Sequence, residues 1–258
     1  MAEEFSERDL TGARFEGVDL SGATFDRVSL AGARFRDVDM SGVRIRGAFL
    51  DDVVIDGGVR GVRVNGIEIA PLIEAELERL HPERAKLRPT DAAGCREAWN
   101  VIEELWAGTV ERARQVDAAL LHERVDDEWS FIETLRHLLF ATDAWVLRVV
   151  LGNPSPWHPL DLPWDEMPDV EGIPRDRDAR PTLDEVLALR ADRMATVRRV
   201  VDELTDEQFA GSTDPVDSPG WPPSQRFSVR EALGIVINEE WWHRRFAERD
   251  LDALNARA

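Results

Sequence analysis

Cysteine is nearly absent from this chain: Cys95 stands alone among 258 residues. A single thiol excludes an internal disulfide and a cysteine-built zinc cage. Tyrosine is missing altogether, and lysine is reduced to Lys86, so almost all of the 32 basic residues are arginine. They face 51 acidic residues for a net charge of -19, a field that repels nucleic-acid phosphates and anionic membrane surfaces. No apolar run reaches membrane-spanning length, and no basic-then-apolar leader is visible. A cytoplasmic protein without nucleic-acid or membrane partners is expected. Histidine is scarce as well, limited to His81, His122, His137, His158 and His243, so any histidine-dependent chemistry must come from these five. Tryptophan is present but one-sided, all nine lying between Trp99 and Trp242. The chain is compositionally two pieces, and its length and 43% hydrophobic content suffice for two domains.

The first piece is a repeat. Phe5, Leu10, Phe15, Leu20, Phe25, Leu30, Phe35, Met40, Ile45, Leu50 and Ile55 recur at a spacing of five, and most are preceded two residues earlier by a small or β-branched residue such as Ala13, Val18 or Ala23. Neither helix nor strand periodicity gives a spacing of five, so each unit must turn a corner. Segments such as LTGARFEGVDLSGATFDRVSLAGARF resemble the pentapeptide-repeat family over roughly residues 5–57. The resemblance implies a short right-handed quadrilateral β-helix with apolar ladders along its axis, and VRVNGIEIAPLIEAELERL supplies a cap for its open end. Residues 1–80 carry 16 acidic and 10 basic residues, interspersed. That balance speaks against a polyanion that mimics DNA and for a structural or interaction role, with capping, homodimer formation and recruitment of a protein partner all open.

From Thr90 the pattern becomes amphipathic helix. The spacing predicts helices from Thr90-Asp91 through Ala113, from Ser130 to Leu151, from Thr182 to Leu204 and from Ser228 to Ala256. Ser130/Glu133, Thr182/Glu185 and Ser228/Glu231 stand at capping-box spacing. Four long helices imply a bundle. The expected division is 1–66 for the β-helix, 67–88 for the capping helix and linker, and 89–258 for the bundle. Two connections, 152–181 and 211–227, are long and Pro-rich and carry Trp157, Trp164 and Trp221. Such loops are functional or disordered, and their rigid content favours ordered loops over one end of the bundle.

On the last helix, stepping about 100° per residue from Ile235 places Glu239 at about 40° and His243 at about 80°, between Phe246 and Val236. A carboxylate within an apolar stripe needs a cation. The i, i+4 spacing stacks Glu239 and His243 on one face, as a helix offers two ligands to one metal. His137, at the edge of the buried face of the second helix, offers a third. Two nitrogens and one carboxylate oxygen suit zinc or another divalent first-row ion and leave a position open for water or substrate. An i, i+4 ion pair and a hydrogen-bonded core histidine are the bland alternatives. Trp145, on the same side as His137, and His158, in SPWHPLDLP, are candidates for the pocket, with plain loop packing the alternative for His158. Cys95 reads as a packing residue, and Arg244 and Arg245 read as surface residues off the metal face.

DDEWSFIETLRHLLFATDAW, followed by VINEEWWHRRFAERDL, resembles the DinB superfamily of four-helix bundles over roughly residues 90–256. Many members carry His-x-x-x-His in the last helix, whereas this chain carries Glu239-x-x-x-His243, which is similar to the mycothiol-dependent maleylpyruvate isomerase branch. The resemblance implies a zinc set on His137, Glu239 and His243, with nickel or another first-row ion as alternatives. It also implies an enzyme that activates a low-molecular-weight thiol such as mycothiol for transfer to an electrophile or for isomerisation. A thiol brought from outside fits a chain with one ill-placed cysteine. A hydrolase using metal-bound water is the rival enzymatic reading, and a non-catalytic interaction or stress-response protein is the rival outside enzymology.

Overall fold

The computed structural model describes residues 4–256. The chain divides into two compact units, one ending at Gly57 and the other beginning at Gly58, ahead of the division after residue 66 expected from the repeat. No helix among the described residues is long and apolar enough to cross a membrane.

In the first unit the fivefold rhythm is written in the backbone. Glu7, Gly12, Gly17, Gly22, Arg27, Gly32, Asp37, Gly42, Gly47, Asp52 and Gly57 all have positive φ, a corner every five residues. Glycine takes that conformation freely, and the others take it at about 1 kcal/mol each. Alternate corners are closed by turns in which Ala13, Ala23, Ala33 and Val43 donate to Leu10, Leu20, Leu30 and Met40. Asp9, Asp19 and Asp39 accept from the hydroxyls and then the amides of Thr11, Ser21 and Ser41, which holds these carboxyls below their ordinary range. The corners are as expected, but the β-helix is not resolved: no strand is formed among the described residues before Arg63. The fivefold residues, expected to stack inward, remain 44–69% exposed. A ladder needs hydrogen bonds from coil to coil, and the backbone bonds here close single corners.

The second unit opens with a hairpin of β1 (Arg63–Val64) and β2 (Ile67–Glu68). Asn65 and Gly66 both take positive φ between the strands, the pairing a two-residue hairpin loop requires. Helix α1 (Ala70–Leu80) follows, with Leu77 packed on the core of this unit. Four long helices build that core: α2 (Ala92–Ala113), α3 (Phe131–Thr142), α4 (Leu183–Glu203) and α6 (Val229–Asn255), with the short α5 (Asp206–Ala210) between the last two. Helices α2 and α3 each pack against both α4 and α6, the arrangement of a four-helix bundle. The capping boxes of α3 and α4 form as the spacing predicts.

Helix α3 does not continue as an α-helix to Leu151. From Asp143 to Val150 it runs as a π-helix, whose i→i+5 bonding puts more residues in each turn. Wheel angles counted from His137 therefore fail beyond Thr142. Trp145 accordingly packs edge-on against Phe227, ring centroids 5.3 Å apart, in the apolar core.

Two buried arginines with no carboxylate partner among the described residues order the Pro-rich loops. Arg136 on α3 donates to the carbonyls of Leu160, Asp176 and Ala179 in the first loop. Arg148 on the π-helix donates to Pro154, Val216, Ser218 and Pro222, reaching both loops. Gly220 lies flat on this second guanidinium: a Cβ there would come within 2.7 Å of Arg148 Cζ. Since five hydrogen bonds hold the guanidinium, it cannot swing aside cheaply. Gly220→Ala is expected to destabilise the protein by about 1–3 kcal/mol, read as a lower midpoint in thermal or urea unfolding.

Candidate metal centre

The capping box at Ser130 fixes the first turn of α3 and so places His137 two turns into the bundle. Helix α6 packs against α3 and brings Glu239 and His243 to the same spot. One ligand atom from each of the three residues lies within 4.8 Å of the others, and no fourth His, Cys, Asp or Glu joins them among the described residues. The imidazoles stack with centroids 4.7 Å apart. Trp129, immediately before the Ser130 cap, lies against both, at 4.5 Å from His137 and 6.0 Å from His243.

The hydrogen bonds decide what these groups offer. His137 Nδ1 is 2.9 Å from the Leu162 carbonyl, which can only accept, so Nδ1 carries the proton and donates. Nε2 is then a bare lone pair in the neutral ring, yet it faces Glu239 Oε2 at 3.4 Å. Two acceptors at that distance repel unless a proton or a cation lies between them. His243 Nδ1 is 3.0 Å from the Glu239 carbonyl and 3.2 Å from Glu239 Oε2. Donation on that side leaves Nε2 of His243 unprotonated.

Burial and the charge of His137 push the His243 pKa down to about 4, overcoming the opposing pull of Glu239. Its ring is therefore neutral, the form that binds metals. Burial works against the Glu239 carboxylate, but a hydrogen bond donated by His137 when its Nε2 is protonated, and the positive charge that protonated histidines bring, outweigh it and hold the group below its ordinary range. Two oriented imidazoles and an ionised carboxylate fit a divalent first-row ion.

Other expected residues fall elsewhere. Trp145 and His158 do not belong to the three-residue group. His158 sits in the first loop, where its Nδ1 accepts from Leu160 N–H, and burial lowers its pKa. Cys95 is fully buried in α2, its thiol pushed up to about 11 by burial and by Asp91, so it is no nucleophile at neutral pH. Arg244 is not a surface residue: it bridges α6 to α2 through the Leu105 carbonyl and Thr109 and pairs with Glu248. Glu239 is also less deeply buried than its wheel position implied. Its neighbour Glu240 is the fully buried acid, paired with Arg190 through two 2.7 Å bonds. That pair and Trp129 were missed from sequence. Trp129 had a signal in its position before the Ser130 cap, while Arg190 looked like any other helical arginine.

The geometry defines a class, a helical bundle carrying a His/Glu/His group between two of its long helices. A family model for the DinB superfamily matches residues 101–247, more than half of the chain, and one for pentapeptide repeats matches eight copies over residues 5–52. The chain belongs to the DinB superfamily. No curated protein and no solved structure matches it.

Proposed function

We propose that this protein is a metal-dependent thiol transferase or thiol-dependent isomerase, with a divalent ion, zinc first among candidates, held by His137 Nε2, Glu239 and His243. The observation that carries this reading is the convergence of His137 Nε2, Glu239 Oε2 and His243, with Nε2 and Oε2 opposed across 3.4 Å, an arrangement that a proton or a cation must occupy and that offers three ligand atoms to one ion. Such an ion, when bound, lowers the pKa of a coordinated thiol or water and so supplies a nucleophile at neutral pH. The chain's own residues do the rest. Leu162 fixes the His137 tautomer, burial keeps His243 neutral, and Trp129 covers the stacked face of both rings. Three protein donors are one short of the four that close a structural zinc site, which supports a site open to a small molecule. Cys95, buried and with a raised pKa, cannot be the sulfur nucleophile, which supports a thiol from solution such as mycothiol.

The test uses the zinc-loaded protein, monochlorobimane as electrophile and mycothiol as thiol. Expected is a saturable, mycothiol-dependent rate at least ~10-fold above the uncatalysed reaction, lost in His243→Ala. Consumption of the electrophile without thiol would transfer the site to hydrolysis. Acceleration under neither condition at full metal occupancy would overturn the enzymatic reading.

A further inference from the structure

The carbonyl that holds His137 Nδ1 belongs to Leu162, and the residue before it, Asp161, is completely buried. The turn that carries both is closed by the Asp161 amide, which donates to the His158 carbonyl at 2.8 Å. It is closed again by Asp161 Oδ2, which accepts from the His158 amide at 2.9 Å. The other oxygen, Oδ1, has no donor among the described residues. Asp161 instead meets the carboxyl of Asp143 on the π-helix. Asp143 is itself fully buried, with both oxygens engaged by Arg193 of α4 at 2.6 and 2.9 Å.

Two ionised carboxylates in contact, sharing one guanidinium, would leave a buried negative charge without a partner, and proteins avoid that by protonation. A proton on Asp161 resolves the conflict: the neutral acid donates to Asp143, which keeps its ion pair with Arg193. Burial and the charge of Asp143 raise the Asp161 pKa to about 8, against the opposing His158 amide bond and Arg193 charge. The groups around this carboxyl are thus Asp143 from the π-helix, Arg193 from α4 and His158 from the loop itself.

We propose that Asp161, as a neutral acid hydrogen-bonded to Asp143, is a positioning residue for His137, locking the 158–162 turn so that the Leu162 carbonyl holds Nδ1 and Nε2 faces the metal. The metal part of this statement rests on the proposed function, whereas the orientation of the imidazole does not. Asparagine keeps the shape and the donor of the neutral acid, and alanine keeps neither. The acid state is populated below about pH 8 and lost above it, so the lock loosens as pH rises through that value.

Two readouts on the full-length chain test this. Nitrogen NMR of the imidazoles in the metal-free protein should show one Nδ1–H tautomer for His137 in wild type and in Asp161→Asn, and a tautomer mixture in Asp161→Ala. Zinc titration against a competing chelator should give at least ~10-fold weaker binding for Asp161→Ala and a change within ~3-fold for Asp161→Asn. Above about pH 8 the wild-type affinity should turn down, and that of Asp161→Asn should not. Asp161→Ala matching wild type in tautomer and affinity overturns the proposal, as does Asp161→Asn falling as far as Asp161→Ala. If Asp161→Ala does not fold, Asp161→Asn and its pH profile decide: a wild-type downturn absent from the variant supports the lock, and identical profiles reject it. A wild type that binds no zinc while the tautomers follow the variants as expected leaves the positioning role standing and rejects the metal centre.

Discussion

Removing either half of the buried Arg190–Glu240 pair should destabilise the bundle by about 3–5 kcal/mol, and removing both should cost far less. The side chains are 3% and 1% exposed and bonded through the two terminal guanidinium nitrogens. Arg190 also lies over Trp106, with Cζ 5.3 Å from the ring centroid. Glu240→Ala leaves a guanidinium with no counter-charge in the core, and Arg190→Ala leaves a carboxylate in the same position. For a unit of this size, a loss of that magnitude lowers the melting temperature by roughly 10 °C. The double variant Arg190→Met/Glu240→Leu fills the space with apolar atoms and removes both desolvation costs, so it should melt much closer to wild type. Thermal unfolding of wild type, Arg190→Met, Glu240→Leu and the Arg190→Met/Glu240→Leu variant as a double-mutant cycle, alongside the two alanine variants, measures this. Single variants that melt within a degree of wild type would show that water reaches the pair and that the bridge contributes little.

The second large effect concerns the metal. Wild type should bind one zinc ion per chain, and His137→Ala and His243→Ala should each weaken binding by about 100- to 1,000-fold. Structural zinc sites bind with roughly 10–16 kcal/mol over four ligands, or about 2.5–4 kcal/mol for each, at about 1.4 kcal/mol per factor of ten. The two variants should fold, because neither histidine belongs to the apolar core cluster and Glu239, which faces both, keeps access to solvent. Glu239 is the most exposed of the three, its side chain 30% accessible, and Glu239→Gln should weaken binding less than loss of a histidine, since the amide oxygen can still approach the ion. Since the His243 pKa is about 4, this ligand surrenders no proton to the metal near neutrality, so its contribution to affinity should persist until pH falls toward that value. Chelator competition together with elemental analysis gives the numbers. Zinc retained at wild-type affinity in both histidine variants would reject the site.

Some of this architecture was readable in one dimension because its causes are local. Ser130 and Glu133 satisfy each other's backbone three residues apart wherever the helix goes, and Asn65-Gly66 imposes its turn on whatever strands flank it. The i, i+4 relation of Glu239 and His243 is a property of any α-helix. Trp145 shows the limit of such reasoning. Its angular position was counted along an α-helix that becomes a π-helix at Asp143, and nothing local announces that change. The pentapeptide ladders show another limit: spacing specifies where the corners fall but not which backbone groups pair across coils.

Local patterns suffice for the corners every five residues, the helices with their caps, and the stacking of Glu239 and His243 on one face of the last helix. All of these depend on spacing along the chain. Tertiary structure alone decided which acid of Glu239-Glu240 faces the histidines and which is neutralised by Arg190. It also decided that Leu162 orients His137, that Trp129 covers the imidazoles, and that Asp161 meets Asp143. Each of these is a contact between elements far apart in sequence. Such contacts are fixed by the packing of α3, α4, α6 and the first Pro-rich loop, and charge and hydrogen-bond satisfaction in that packed interior select the partners.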